Sequence, residues 1–369
     1  MKVFVVFGTR PEAIKMCPLV LELKKNKNIE CIVCLTGQHR EMLYQVMDAF
    51  ELKEDYNLDI MKDRQTLTTI TTSILEKMEP ILKQECPDIV LVHGDTTTSY
   101  AAALAAFYQQ IPVGHVEAGL RTGDIYSPFP EEMNRLLTDR ISTLYFAPTK
   151  QNKQNLLQEG ISKGIVVTGN TVIDAFASTV KDLYDFHEKK LSEIDFDSRR
   201  VVLVTAHRRE NLGQPLQNIC SATKRLAERH ADVLFVYPVH LNPAVRDTVF
   251  ATLSGVDNVM LIDPVDVLDM HNMMARCFMV MTDSGGIQEE APHFGKPVLV
   301  LRTETERPEA VEAGTVKVVG IDEDTIFSEA ERLLTDEDVY AQMAKAVNPY
   351  GDGRASERIV ETLLEAIKL

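Results

Sequence analysis

Charged and polar side chains that could carry out chemistry follow the ends of several apolar runs in this sequence. In the first half these side chains are Arg10, Lys15, Asp95 and Glu117, with Glu131 and Arg135 nearby. In the second half they are His207, His240, Ser284, Glu290 and Arg307. Three carboxylates and a histidine around one ligand provide more acid and base than binding alone requires. The set therefore favours an enzyme that abstracts a proton or performs glycosyl chemistry.

The stretch FMVMTDSGGIQEE, residues 278–290, predicts a buried strand, a tight turn and the start of a helix. Gly285 and Gly286 let the backbone approach a ligand closely, and the free N–H groups of a helix start favour an anion. Glu289 and Glu290 lie one turn further on and can accept hydrogen bonds from hydroxyl groups. A diphosphate at the turn with a ribose on a glutamate fits this pattern, and so does a turn with no ligand.

The segment Gly8-Thr9-Arg10-Pro11-Glu12 follows the first apolar run. Thr9 and Glu12 fit the capping-box pattern of a helix start. Arg10 and Lys15 therefore lie near a helix start beyond the carboxyl end of a strand, where open α/β sheets bind ligands. Ala13 stands where a P-loop needs its second glycine, so the segment is not a P-loop. Two solvated cations are the alternative interpretation.

The three candidate carboxylates differ in how well a purely structural role explains them. Asp95 could cap the helix that begins at Thr96. Glu117 follows a strand directly and has no capping role, so its position favours a function. Glu131 and Arg135 are four residues apart on one predicted helix face and could pair. Complementing the helix dipole is the alternative for Glu131.

Apolar runs that alternate with helical segments position these side chains in both halves of the chain. This alternation predicts an α/β protein with two doubly wound parallel-sheet domains, each with six strands. We place the domain boundary after Val172 and a second break at Gly351-Asp352-Gly353, before a closing helix. If the two domains face each other, the candidate side chains line one cleft. A dinucleotide cofactor is not expected, because neither half has GxGxxG after its first strand.

Composition narrows the class of protein further. The 369 residues are 45% hydrophobic and 25% charged, as in a soluble globular protein, and the length suggests two domains. A net charge of −16 argues against a partner among nucleic acids. The sequence shows no signal peptide and no apolar run long enough to cross a membrane, so we expect a cytoplasmic protein. The six cysteines are scattered and form no zinc set: Cys17, Cys31, Cys34, Cys86, Cys220 and Cys277.

The ordered motifs of the chain resemble those of the non-hydrolysing UDP-N-acetylglucosamine 2-epimerase family. They run from Lys2 to the final helix and read GTRPEAIKMCPL, VHGDTTT, GHVEAGLRTG, PFPEEMNR, TAHRREN, TDSGGIQEEAP and GKPVLVLRTETERPEAVEAGT. The resemblance implies the GT-B fold: two Rossmann-like domains facing across a cleft, a final helix that returns to the first domain, and usually a homodimer. With that returning helix, the domains are expected to be 1–172 plus 354–369 and 173–353.

The resemblance also implies the chemistry. Members interconvert UDP-GlcNAc and UDP-ManNAc by eliminating UDP to leave 2-acetamidoglucal and then adding UDP back, with no metal or redox cofactor. The UDP-ManNAc would supply synthesis of cell-surface polysaccharide. Implied acid–base groups are Asp95, Glu117 and Glu131, in an order that the sequence leaves open. Arg135 would hold Glu131 or the leaving phosphate, and His207 would assist at the diphosphate or the sugar. The implied substrate-binding residues are Arg10, Lys15, Asp95, Glu117, His207, Ser284, Gly285, Gly286, Glu290 and Arg307.

The family often has a second, regulatory UDP-GlcNAc site. Its residues correspond here to Gln38, His39, Arg64, Arg208 and His240. Glu41 stands where some relatives have glutamine, and a carboxylate near a diphosphate is unfavourable. An allosteric role for this group is therefore a separate expectation from catalysis.

Three other functions fit parts of the pattern. A hydrolysing 2-epimerase would release ManNAc and UDP. A GT-B glycosyltransferase would pass the sugar of a UDP-sugar to an acceptor. A regulator would bind a nucleotide sugar without catalysis, although the three intact carboxylates argue against this. The products formed from UDP-GlcNAc alone distinguish an epimerase and a hydrolysing enzyme from each other and from the other two, which give no product without an acceptor.

Overall fold

The chain forms two separate α/β units in a computed structural model that describes residues 1–37, 40–61 and 65–366. One unit comprises Met1–Ser178 and Tyr350–Leu369, and the other comprises Thr179–Pro349. The structure therefore divides the chain later than the predicted break after Val172. The reason is that Asp174 accepts hydrogen bonds from the backbone N–H groups of Ala355 and Ser356 at 3.1 and 2.6 Å, which ties its helix to the final helix.

The first unit is built on a seven-stranded sheet. Its strands are β1 (Lys2–Phe7), β2 (Glu30–Leu35), β3 (Tyr56–Asn57), β4 (Ile89–His93), β5 (Val113–Val116), β6 (Leu144–Ala147) and β7 (Ile165–Val167). Their order is β3-β2-β1-β4-β5-β6-β7, and every pairing is parallel. The prediction of six strands missed β3, because two residues are too few to show a periodic pattern.

Helices cover both faces of this sheet. They are α1 (Arg10–Lys25), α2 (Arg40–Ala49), α3 (Leu67–Glu85), α4 (Thr97–Tyr108), α5 (Glu131–Ile141), α6 (Lys150–Gln158) and α7 (Thr171–Thr179). Val3–Phe7 of β1 are fully buried, as a strand covered on both faces requires. Helix α4 buries its alanines Ala101–Ala103 in the hydrophobic cluster that also contains Ile74 and Met78 of α3. Small side chains there allow the two helices to approach closely.

The second unit has a six-stranded sheet, as predicted. Its strands are β8 (Arg200–Thr205), β9 (Val233–Pro238), β10 (Val259–Ile262), β11 (Met279–Thr282), β12 (Val298–Val300) and β13 (Val316–Val318). The order is β10-β9-β8-β11-β12-β13, again with parallel pairing throughout. Its helices are α8 (Lys189–Ser192), α9 (Gln214–Arg229), α10 (Pro243–Leu253), α11 (Val267–Arg276), α12 (Gly285–Glu290), α13 (Pro308–Glu312), α14 (Glu323–Thr335) and α15 (Glu337–Ala344).

The chain then returns to the first unit through α16 (Ala355–Ala366), which packs against α1. In each sheet the strand order reverses once, between β1 and β4 and between β8 and β11. Ligands of open α/β sheets bind at such switch points, beyond the carboxyl ends of the strands. Among the described helices, none is long and apolar enough to cross a lipid bilayer.

Candidate active site

Glu117 is the centre of a polar cluster at the switch point of the first sheet. It follows β5 directly and adopts a φ of 67°, a left-handed conformation that a residue other than glycine seldom takes. Its Oε2 forms an ion pair with the Lys15 ammonium of α1 and accepts a hydrogen bond from Asn170 Nδ2 at 2.9 Å. His93, the last residue of β4, places its Nε2 3.6 Å from the same oxygen.

The surroundings of Glu117 keep it ionised. Burial by itself raises the pKa of a carboxyl group, because the charged form loses its hydration. Here the charge of Lys15 and the ring of His93 outweigh that effect and hold the pKa of Glu117 well below its usual range. Glu117 is therefore a buried carboxylate at neutral pH.

Asp95 lies in the same region and is clamped by an arginine. Arg135 donates to Asp95 Oδ2 from Nε at 3.0 Å and from Nη2 at 2.6 Å. The third arginine nitrogen pairs with Glu132 at 2.8 Å. Arg135 therefore joins Asp95 and Glu132, and the predicted pair of Arg135 with Glu131 is wrong. The guanidinium group of Arg135 instead forms its ion pairs with Asp95, which is distant in sequence, and with Glu132, three residues earlier.

Asp95 is also not a helix cap. The N-cap of α4 is Thr96, whose side chain accepts a hydrogen bond from the backbone N–H of Ser99. The structural role that competed with function at Asp95 is thus filled by its neighbour. Glu131 begins α5, as predicted, and lies half-buried at the first turn.

Buried polar groups outside the predicted set fix this cluster. Glu12 completes the predicted capping box with Thr9 and also accepts hydrogen bonds from Thr96 and Ser99 at 2.7 and 2.9 Å. It therefore joins the loop after β1 to the start of α4. His115 contacts the backbone oxygen of Gly94 at 2.7 Å through Nε2. Both contacts restrain the loop that carries Asp95.

The polar cluster of the second unit is organised by Asp283, which is fully buried at the end of β11. Its Oδ2 accepts hydrogen bonds from the backbone N–H groups of His207 and Arg208, both at 2.8 Å, and from Asn211 Nδ2 at 3.0 Å. Asp283 thereby fixes the loop after β8. The His207 ring stacks on His240 with 5.1 Å between centroids. Burial, with the nearby positive groups, lowers the pKa of His207, so its ring is neutral at neutral pH.

Two arginines converge on the Gly285 turn. A Cβ atom at Gly285 would lie 3.2 Å from Cζ of Arg307 and 3.4 Å from Nη2 of Arg208. Glycine at this position lets both guanidinium groups lie close to the backbone of the turn, where a Cβ atom would be in tight contact with them. Arg208, predicted for the regulatory site, therefore shares this turn with Arg307, and their charges suit an anion.

The same arginines are held by carboxylates. Arg307 donates to Glu289 at 2.8 Å and to Glu306 at 3.1 Å, and Glu306 also lies 3.9 Å from Arg208 Nη1. Burial raises the pKa of Glu306, but Arg302 and its neighbouring arginines reverse this and lower it. Glu306 is therefore an anion that three guanidinium groups already surround.

The remaining predicted residues of this unit lie around the turn. Ser284 is the N-cap residue of α12, but its side chain makes no capping hydrogen bond. A Cβ atom at Gly286 would lie 3.1 Å from Glu290 Oε1. Glu290 in turn lies 3.8 Å from His271 Nε2.

Three of the predicted regulatory residues, Gln38, His39 and Arg64, lie outside the described residues, and the regulatory site stays a prediction. Arg10 is the first residue of α1, in the predicted position. One group with metal-ligand spacing occurs among the described residues, formed by His187, Asp266 and Asp269. His187 pairs with Asp266 at 2.6 Å, and Asp269 caps backbone N–H groups at 2.9 Å. All three side chains therefore already form hydrogen bonds or an ion pair within the protein.

Comparison with known proteins decides the family. The family model described as UDP-N-acetylglucosamine 2-epimerase matches residues 21–364. The chain is 57% identical over 365 residues to the UDP-N-acetylglucosamine 2-epimerase of Bacillus subtilis, a match that covers 99% of this chain and 95% of the relative. The chain belongs to the UDP-N-acetylglucosamine 2-epimerase family. The resemblance of its motifs is thereby confirmed.

Solved structures of the family share the fold. The UDP-GlcNAc 2-epimerase from Neisseria meningitidis bound to UDP-GlcNAc is 53% identical, with a TM-score of 0.90 over 99% of this chain and 100% of that one. The S. aureus MnaA–UDP complex is 51% identical, with a TM-score of 0.89 over 100% of this chain and 97% of that one. With its two parallel sheets, the chain has the predicted GT-B architecture.

Several residues of these clusters were not among the predicted site residues. His93 ends an apolar strand two residues before the predicted Asp95, and this position at a strand end is a signal that the sequence offers. Asn170 donates a hydrogen bond to Glu117 from 53 positions away in sequence, a distance at which local patterns give no signal. Asp283 precedes the glycine turn, and its role in fixing a second loop is not visible in the sequence. Glu132 stood beside the chosen Glu131, and the sequence does not distinguish the two.

Proposed function

We propose that this epimerase-family chain interconverts UDP-GlcNAc and UDP-ManNAc by a non-hydrolysing route. The observation that carries the proposal is the ionised, buried Glu117 held by Lys15 beside the arginine-clamped Asp95. Breaking a C–H bond at an unactivated sugar carbon requires fixed acid and base groups, and this cluster supplies them. The relative from N. meningitidis was solved with UDP-GlcNAc bound, which supports the same substrate here.

The second unit is proposed to bind UDP. Arg208 and Arg307 at the Gly285 turn provide the cations for a diphosphate, and the S. aureus relative solved with UDP supports that ligand. We assign Ser284, Gly286 and Glu290 to the same nucleotide, with Glu290 as acceptor for ribose hydroxyl groups. Neutral His207, fixed by Asp283, can donate or accept a hydrogen bond near the diphosphate.

The proposed reaction balances without water or an oxidant. A base removes the proton from C2, the C–H electron pair forms the C1=C2 double bond, and the C1–O bond breaks. UDP leaves with the electron pair of the broken C1–O bond on its β-phosphate oxygen, and 2-acetamidoglucal remains. The reverse addition places a proton on the opposite face of C2 while the phosphate oxygen attacks C1. The arginines stabilise the negative charge that develops on the leaving diphosphate.

The three carboxylates are suited to different steps. Lys15 keeps Glu117 anionic and Arg135 keeps Asp95 paired, so both are proposed as acceptors of the C2 proton. Among the described residues, no cation forms an ion pair with Glu131, so its carboxylate is not held by a cation as those of Asp95 and Glu117 are. We propose that Glu131 exchanges the proton on the opposite face. Arg10 is assigned to substrate binding with Lys15.

The resemblance supports three further proposals. The chain would act as a homodimer, and its UDP-ManNAc would enter synthesis of cell-surface polysaccharide. A second UDP-GlcNAc would bind at the regulatory residues named above, among which Arg208 and His240 are described.

Product analysis tests this function against its alternatives. Incubation of the purified protein with UDP-GlcNAc and no acceptor should give UDP-ManNAc, observed by NMR, and incubation with UDP-ManNAc should reach the same final ratio. Release of free ManNAc with one equivalent of UDP would instead identify a hydrolysing enzyme. No change in either nucleotide sugar would favour a transferase or a binding protein.

A further inference from the structure

His93 is a buried histidine without a hydrogen-bond partner in the described part of the first unit. It ends β4, its side chain is 5% exposed, and neither Nδ1 nor Nε2 makes a hydrogen bond there. A buried polar group left unpaired costs free energy that a hydrophobic side chain of similar size would avoid. The position of this imidazole therefore requires an explanation other than packing.

The ring points at one oxygen of Glu117. Nε2 lies 3.6 Å from Oε2, which is slightly beyond a hydrogen bond. Hydrogen bonds of a catalytic cluster are often long in a free enzyme and shorten when substrate binds. A movement of a few tenths of an ångström would bring the His93 N–H into contact with the carboxylate.

The two oxygens of Glu117 have different surroundings. Lys15, Asn170 and His93 all approach Oε2. For Oε1, the described residues show no hydrogen-bond donor, and a Cβ atom built at Gly94 would lie 3.5 Å from it. The absence of a side chain at Gly94 thus avoids a contact with Oε1.

We propose that His93 is a positioning residue that completes a three-sided clamp on Glu117 Oε2, so that Oε1 is the oxygen presented to the sugar. The inference rests on the proposed function, because it assigns the reacting atom of that mechanism. Glu117 needs such a clamp because its backbone has the unfavourable left-handed conformation, and its side chain must still point to one place.

Other charged groups near this clamp are already engaged. On α1, Glu12 accepts hydrogen bonds from Thr96 and Ser99 at 2.7 and 2.9 Å. On β5, His115 is fixed by Asp139 at 2.6 Å. In the loop after β4, Asp95 pairs with Arg135. Lys15 and His93 remain as the two groups whose proximity lowers the pKa of Glu117.

Two substitutions separate the effect of the hydrogen-bond donor of His93 from the effect of its ring volume. His93→Gln places an amide N–H near the position of Nε2, whereas His93→Phe keeps the ring volume and removes the donor. We expect His93→Phe to lower kcat for UDP-GlcNAc roughly 10- to 100-fold, as for the loss of a hydrogen bond to a charged group. KM should change less than about threefold, because His93 does not touch substrate. His93→Gln should keep kcat within about fivefold of the wild type.

The pH profile gives a second readout that a purely structural role would not change. His93 helps hold the pKa of Glu117 low, so the carboxylate persists as pH falls. Without the donor the pKa of Glu117 rises, and the acid limb of kcat/KM should move to higher pH in His93→Phe. The same limb should stay near its wild-type position in His93→Gln.

Three outcomes would overturn the inference. They are wild-type kcat in His93→Phe, equal losses in both variants, and an acid limb that does not move in His93→Phe. Crystal structures of the variants extend the test beyond activity, since Glu117 Oε2 should stay on Lys15 in His93→Gln and leave it in His93→Phe. If the wild-type protein itself forms no UDP-ManNAc, the proposed function fails, and these structures still decide whether the clamp exists.

Discussion

Glu117→Gln should lower the turnover of UDP-GlcNAc by roughly 10²-fold or more while the substrate still binds. The amide keeps the size of the side chain and can still accept hydrogen bonds from Lys15 and Asn170, so the cluster stays filled. It cannot carry the negative charge that the structure maintains on this residue, and it is not a base. Steady-state kinetics and calorimetry with UDP-GlcNAc measure the two effects separately.

Glu30→Gln is the matched control for this substitution. Glu30 is the first residue of β2, at the amino ends of the strands and therefore away from Glu117 at their carboxyl ends. It forms an ion pair with Lys2 at 3.5 Å, and its own side chain is exposed. Its loss should leave turnover unchanged, since exposed ion pairs contribute little. Near-normal turnover in Glu117→Gln would remove Glu117 from the mechanism.

Arg307→Met should weaken the binding of UDP roughly 10- to 100-fold, because a charge-assisted hydrogen bond to a phosphate is lost. The arginine lies beside Gly285 and is held there by Glu289 and Glu306. Removing it leaves Glu289 buried without this partner, which destabilises the fold as well. The double variant Arg307→Met/Glu289→Gln removes both members of the pair and should show the same loss of affinity.

Arg225→Met provides the control in the same unit. Arg225 pairs with Glu323 and Asp324 at 2.7 Å and lies over the ring of Phe327. Calorimetry should find its affinity for UDP unchanged. Wild-type affinity in the double variant would contradict the assignment of the diphosphate to the Gly285 turn.

Much of the fold followed from local patterns in the sequence. Apolar runs that alternate with helices predicted two parallel-sheet units, and the Thr9–Glu12 capping box is present as expected. These features depend on neighbours within a few residues, which a sequence displays directly. The strand β3 was missed because its two residues are defined by pairing with β2 rather than by a pattern of their own.

The sequence predicts which residues lie at strand ends more readily than it predicts their contacts. Position at strand ends selected Asp95 and Glu117, since carboxyl ends of parallel strands meet at one edge. The rule for helix neighbours paired Arg135 with Glu131, whereas the folded chain brings Asp95 to it across 40 positions. Contacts of that range depend on how strands are ordered in the sheet, which local patterns do not encode.

The most direct test of the proposed chemistry follows hydrogen at C2 of the sugar. UDP-GlcNAc alone is incubated with the protein in heavy water, and NMR locates deuterium in the nucleotide sugars. Because elimination removes the C2 proton and re-addition takes one from solvent, the proposed mechanism predicts UDP-ManNAc with deuterium at C2. UDP-ManNAc that keeps its original hydrogen at C2, or free sugar in place of UDP-ManNAc, would contradict it.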